Sequence, residues 1–359
     1  MICFIINDSG GYEVWNNMDV IKDNRTFSTL YSIHIDDSGK YGNGTWDGWA
    51  RERPWCTGTG TKNDPYIIEN VTINGRGNGD CILIGNSTKY FIVRNCTLFN
   101  AKNAGNCAGI RLDNVANGQL INNNCSKNAV NGITLMNGCM NNTVFKNIVN
   151  NNYQGICLDT NCNNNTIANN SACNNGFIEI CLNTNCNYNK ILNNNASNSR
   201  LQRIGINLWN GCEYNNISNN IVFNYTDWGI GIQSSSNNYI SRNIVSNITY
   251  RVFYSGYGIY VQYSYSNTIF NNTIRNSVVN FGMYLTGSSG NLIYKNYFIK
   301  NKIQAKNDES NQWNNTAIGN YWDNYTGVDN NFDGIGDTPY SISNGLTYDN
   351  YPLMNPVDI

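Results

Sequence analysis

An aliphatic residue followed three places on by asparagine recurs along most of the chain: Ile92/Asn95, Ile121/Asn124, Val144/Asn147, Ile167/Asn170, Ile191/Asn194, Ile217/Asn220, Ile240/Asn243, Ile269/Asn272 and Ile293/Asn296. Successive pairs lie 23 to 29 residues apart. A second unit, Gly-Ile-Xaa-Leu, accompanies it at Gly109, Gly132, Gly155 and Gly205, with looser copies at Gly229, Gly258 and Gly282. Alternation within that unit puts Ile and Leu on one face and the intervening residue on the other, as in a half-buried strand. Such short runs are too brief for helices. Short strands, polar turns and a fixed period of this size predict a solenoid: an all-β, right-handed parallel β-helix of about ten rungs.

The pattern divides the chain into three. Residues 1–61 lie outside the repeat and carry Trp15, Trp46, Trp49, Trp55 and the only histidine, His34, which predicts an aromatic cap over the first rung. Residues 62–301 hold the repeats. Residues 302–359 shift to Trp313, Tyr321, Trp322 and Tyr325 and an Asp/Asn/Gly-rich loop, a second cap. Five residues before each aliphatic runs a file of small side chains: Ser87, Ala116, Cys139, Cys162, Cys186, Cys212, Ser235, Ser264 and Ser288. It predicts a tight corner filled by small groups, because free cysteine packs as a small hydrophobe. A soft-metal column fails on geometry, since ligands in one file cannot surround an ion.

Composition then limits the partners. Lys+Arg (23) nearly balance Asp+Glu (24) and only 13% of residues are charged, so there is no basic field for nucleic acid. Asparagine, 74 residues, supplies the polarity instead. The repeated asparagine is expected at a bend, where Asn tolerates the left-handed conformation and stacked amides satisfy one another. No run approaches the ~20 apolar residues of a membrane span, and the amino terminus is a poor signal peptide. The thirteen cysteines fall largely in phase with the repeat, which points to packing before a disulfide framework. A monomeric rod is expected.

The repeat, together with the tail Gly319-Asn320-Tyr321-Trp322-Asp323-Asn324-Tyr325, Asp333-Gly334-Ile335-Gly336-Asp337-Thr338-Pro339-Tyr340 and Asp349-Asn350-Tyr351-Pro352-Leu353, resembles the NosD-like, CASH-type family of right-handed parallel β-helix proteins. The resemblance implies that fold and an extracellular or envelope location. It links the chain to copper-site maturation on one side and to carbohydrate binding or cleavage on the other.

Three constellations could carry chemistry. In the C-terminal loop, Asp329, Asn331, Asp333, the carbonyl of Ile335 and Asp337 match the first part of a calcium-loop pattern, with Gly334 at the turn and Tyr340 where a bidentate acid is usual. A structural calcium is expected there, with Asp349 or Asp323 as a borrowed ligand; an Asx-rich turn without metal is the alternative. On the outer strand face, Asp113 and Asp159 fall two rungs apart, ~9.6 Å by strand spacing. Inverting glycosidases hold their carboxyls ~6.5–9.5 Å apart, so this pair, with Arg111 beside it, is the candidate catalytic set for a polysaccharide hydrolase or lyase. Trp209, Trp228, Tyr260 and Tyr284, with Tyr254 and Tyr257, form the candidate carbohydrate-binding surface. Copper wants His, Met or Cys clusters, and the sequence shows no copper site. The leading expectation is a non-catalytic carbohydrate-binding or adhesion module whose partner is a polysaccharide or other glycan. The hydrolase or lyase and a structural surface-layer component are the alternatives.

Overall fold

The computed structural model describes residues 4–6, 12–14, 32–39, 44–197, 204–249, 256–342 and 347–356. Trp15 and Tyr254 lie outside them. Three sheets of stacked strands, parallel except for Cys56–Thr57, build a solenoid, as the repeat predicts. The long sheet has 11 strands, from Ile33–Asp36 to Ile303–Asn307, and thus extends past both ends of segment 62–301. A second 11-stranded sheet runs from Cys56–Thr57 to Leu292–Tyr294, and a third of 7 strands from Ser171–Cys173 to Tyr321–Trp322.

The Gly-Ile-Xaa-Leu units build the long sheet in strict register: Ile110, Ile133, Ile156, Ile180, Ile206, Ile230 and Ile259 align, as do Leu112, Leu135, Leu158, Leu182, Leu208, Ile232 and Val261. Every one of these is fully buried. Glycine precedes the isoleucine because the next rung leaves no space: a Cβ on Gly205 would stand 2.5 Å from Val222 Cγ1 and 2.6 Å from the Gly229 carbonyl.

The second sheet corrects two of the sequence pairs. Val93 aligns with Leu120 and Val144, so the inward residues of the early rungs are Val93 and Leu120 rather than Ile92 and Ile121. The ladder asparagine is accordingly Asn123, not Asn124, and Cys96 replaces Asn95. A slip of one residue moves a strand side chain to the opposite face. From Val144/Asn147 onward the pairing follows the sequence pattern.

The bend also differs from expectation. The left-handed residue is the one before the ladder asparagine in all rungs but that of Asn320: Asn122, Lys146, Asn169, Asn193, Asn219, Arg242, Asn271 and Lys295, with φ between 53° and 59°. The ladder asparagine itself is buried. In the file Asn123, Asn147, Asn170, Asn194, Asn220, Asn243, Asn272, Asn296 and Asn320, each side-chain oxygen after the first accepts from the backbone N–H and the amide of the asparagine one rung before. Each amide also donates to a carbonyl of that preceding turn, as Asn243 does to Ile217. A second such file runs from Asn142 to Asn311 and a shorter third from Asn128 to Asn175. Asn-Asn pairs therefore serve two needs: an exposed residue that turns the chain and a buried one that joins rungs.

Acids end two of these files. Asp349 accepts from Asn320 N (2.6 Å), Trp322 Nε1 (2.9 Å), Tyr351 N (3.1 Å) and Asn320 Nδ2 (3.3 Å), and Glu179 accepts from the amide and backbone N–H of Asn175. A carboxylate is acceptor-only, so it can close a run of donors. The cysteine file fills a corner as expected, each thiol donating to a carbonyl of its own turn: Cys139 to Met136, Cys162 to Asp159, Cys186 to Asn183 and Cys212 to Trp209. Ser235, Ser264 and Ser288 repeat that bond.

Aromatic rings close both ends. Helix Trp46–Glu52, capped by the Thr45 hydroxyl, lays Trp46 flat on Tyr66 at 5.0 Å. At the far end Trp322 lies between Phe298 and Tyr340, each 4.3 Å away.

Candidate functional site

The outer face of the long sheet carries three files. One runs Arg111, Thr134, Cys157, Cys181, Asn207, Gly231, Tyr260, Tyr284 and Lys306; a second runs Asp113, Met136, Asp159, Asn183, Trp209, Gln233, Gln262 and Thr286. A third, three residues upstream of the first, runs Gln154, Ile178, Ile204, Trp228 and Tyr257. The first holds the residues between Ile and Leu, which alternation puts on the outer face, but it is not outward surface throughout. Thr134, Cys157, Cys181 and Asn207 are at most 3% exposed.

Asp113 and Asp159 stand in one file with Met136 between them. Each is half-buried and locally engaged: Asp113 accepts from Asn137 Nδ2 at 2.9 Å, and Asp159 from Thr160 Oγ1 at 3.2 Å. Arg111 turns to Asp80, with Nη2 3.0 Å from Oδ2. Burial pushes the Asp80 carboxyl up, and the guanidinium with the Ala108 N–H pulls it back. That pairing gives Arg111 a structural partner at the edge of the sheet.

The later rungs gather rings. Trp228 packs on Tyr260 at 5.0 Å, Tyr257 on Tyr260 at 5.1 Å, and Tyr284 stands edge-on to Tyr257 at 5.2 Å. Phe281 joins at 5.3 Å from Tyr284, and Lys306 Nζ lies 4.8 Å above the Tyr284 ring. Asp308 accepts from the Tyr284 hydroxyl at 2.7 Å and pairs with Lys306 at 3.5 Å. Every ring in this patch is half-buried, and burial, then the neighbouring tyrosines, pushes the Tyr260 hydroxyl up to about 12. Gln233 donates to Gln262 at 3.1 Å in the adjoining file, where Trp209 is 42% exposed one rung earlier. Three of the four predicted binding residues, Trp228, Tyr260 and Tyr284, thus share one patch with Tyr257, and Trp209 stands apart. Phe281, Lys306 and Asp308 were not among the sequence candidates. Phe281 sits one place before a looser glycine unit, and Lys306 belongs to a strand beyond the repeat.

In the C-terminal loop the acids accept from the loop's own backbone. Asp329 takes the N–H groups of Asp333 and Gly334, Asp333 that of Ile335, and Asp337 that of Asn330. Asn331 donates to Asp333 at 3.0 Å. The two borrowed ligands considered are committed elsewhere: Asp349 to the asparagine file, Asp323 to Lys300 N and Gln304. Tyr340 donates to Asn324. Among the described residues no three His, Cys, Asp or Glu side chains converge where a metal ion could sit.

Residues 182–327 match a family model described as periplasmic copper-binding protein (NosD). A probable ABC transporter binding protein NosD of Stutzerimonas stutzeri is 34% identical over 94 residues, 25% of this chain and 21% of that protein. Over that stretch the chain is similar to the NosD family. It spans about a fifth of the curated relative it matches. Two solved structures share its solenoid: the periplasmic alginate epimerase AlgG, with a TM-score of 0.51 and 14% identity over 75% of this chain and 81% of that one, and the Dettilon tailspike protein gp208, with 0.54 and 14% over 71% and 56%. At such identity the likeness of this chain to them is one of fold. No described helix of it is long and apolar enough to cross a membrane.

Proposed function

We propose that the outer face of the late rungs binds a polysaccharide without cleaving it. The observation that carries this reading is the ring cluster of Trp228, Tyr257, Tyr260, Phe281 and Tyr284, half-exposed on a regular sheet with Gln233, Gln262, Lys306 and Asp308 beside it. Rings offer apolar faces for sugar C–H groups while the amides and hydroxyls offer hydrogen bonds. The fold neighbour that acts on alginate supports the substrate class, and the family's periplasmic description supports a place outside the cytoplasm. Asp113, Asp159 and Arg111 are given no catalytic role, because their partners account for them.

A glycan array tests the proposal. Binding is expected for the native chain and a roughly tenfold loss for Trp228→Ala or Tyr260→Ala, the order expected of a buried aromatic contact. Binding unchanged in both variants, or lost on changing Asp113 and Asp159 to Asn, would sink it. Calcium at Asp329, Asn331, Asp333, the Ile335 carbonyl and Asp337 is proposed on donor chemistry, since all are oxygens. Each carboxylate keeps lone pairs for a cation while accepting from the loop amides, but Tyr340 stands where the bidentate acid is usual, so binding is weak, and calorimetry should show a millimolar dissociation constant that Asp333→Ala abolishes.

A further inference from the structure

Two cysteines outside the corner file stand against each other. Cys157 and Cys181 face out of the long sheet, on neighbouring strands Gln154–Asp159 and Ile178–Asn183, in direct register. Their sulfurs lie 2.7 Å apart. Registered residues on adjacent strands stand ~4.8 Å apart, within the ~4.4–6.8 Å Cα range of disulfides. Ile178 and Ile204 pack around the pair, and half-buried Phe177 and Trp228 close over it, a small apolar cluster separate from the solenoid core. The corner sulfurs also meet their copies from rung to rung, but each has a carbonyl acceptor in its own turn; Cys181 donates to the sulfur of Cys157, and Asn183 Nδ2 approaches that same sulfur at 3.5 Å.

We infer that Cys157 and Cys181 are a cross-linking site, oxidised to a disulfide that joins two successive rungs in mid-rod. The oxidant is a disulfide of the dithiol-exchange class. One cysteine thiolate attacks a sulfur of RSSR and expels RS⁻, forming a mixed disulfide; the second attacks that cysteine's sulfur and expels another RS⁻. Two thiols and RSSR give one protein disulfide and two RSH. The two protons lost by the cysteines are taken up by the leaving thiolates.

The test is to refold the reduced full chain in a glutathione redox buffer, alkylate the remaining thiols and digest without reductant. Mass spectrometry should find the peptides bearing Cys157 and Cys181 linked and two hydrogens lighter than their sum, with Cys139, Cys162, Cys186 and Cys212 alkylated. The oxidised chain should melt higher than the reduced one, and Cys181→Ser should remove that difference while retaining the fold by circular dichroism. Recovery of both residues as alkylated thiols from folded protein in the most oxidising buffer would overturn the inference. So would linkage of either one to a corner cysteine.

Discussion

Inside the solenoid the asparagine files keep one residue type from rung to rung and the strand files stay aliphatic, whereas on the outer face of the long sheet the type changes along the axis: an ion-paired arginine, then sulfurs, then rings. The asparagine files are fixed because each group's partner is its own copy. Asn243 can only be asparagine when Asn220 offers two donors and Asn272 accepts two. Tyr260 meets no such demand, so its identity reflects something other than the ladder. The difference shows where to look in a repeat protein: at positions the stacking does not specify.

If the contrast holds, inner substitutions should act on stability and outer ones on binding. The largest effect is expected at Asp349. Asp349→Ala strands the backbone N–H groups of Asn320 and Tyr351 and the Trp322 indole, and should lower unfolding free energy by about 4 kcal/mol at the usual cost of unpaired buried donors, read by urea denaturation. The same carboxyl gives the rod a pH dependence. Burial raises its pKa to about 6 against the pull of its N–H donors. The native state therefore holds this proton more tightly than the unfolded chain, so the stabilisation is complete below about pH 4 and is lost as pH rises through 6, by up to about 3 kcal/mol. Asp349→Asn should flatten that part of the melting-temperature profile.

Asn243→Ala comes next. It leaves two donors of Asn220 unanswered and should cost about 3 kcal/mol, whereas Tyr260→Ala should weaken glycan binding with a smaller change in melting temperature. A Tyr260 variant that melts as early as the Asn243 one would erase the contrast. The smallest effect tests the turns. Lys295 sits at φ 54° where its counterparts are mostly asparagine, so Lys295→Asn should raise stability by up to about 1 kcal/mol, as a residue suited to left-handed backbone does.

The rods of isoleucine and leucine were legible because burial repeats with the strand period, and the glycine before each marks a place with no room for Cβ. Two details were not. Ile92 and Ile121 are aliphatic on the solvent side, next to Val93 and Leu120, and hydrophobicity alone cannot choose between adjacent aliphatics. The left-handed turn belongs to the first member of Asn-Asn and the ladder to the second, and the pattern does not separate them because both are asparagine for different reasons. Of the candidate site, Tyr260 and Tyr284 follow from counting strand positions, whereas Trp228 joins them only as an aromatic of the later rungs. Burial of Thr134, Cys157, Cys181 and Asn207 did not, because the period places a residue on a face without showing what packs over that face.

The asparagine file has a direction. Every amide in it accepts from the rung before and donates to the rung after, until Asp349 accepts and its side chain passes nothing on. A duplicated rung inserted upstream of that point would find an acceptor on one side and donors on the other, whereas one appended after it would meet no donating side chain. The gene can thus lengthen or shorten the rod from within while its last rung stays fixed.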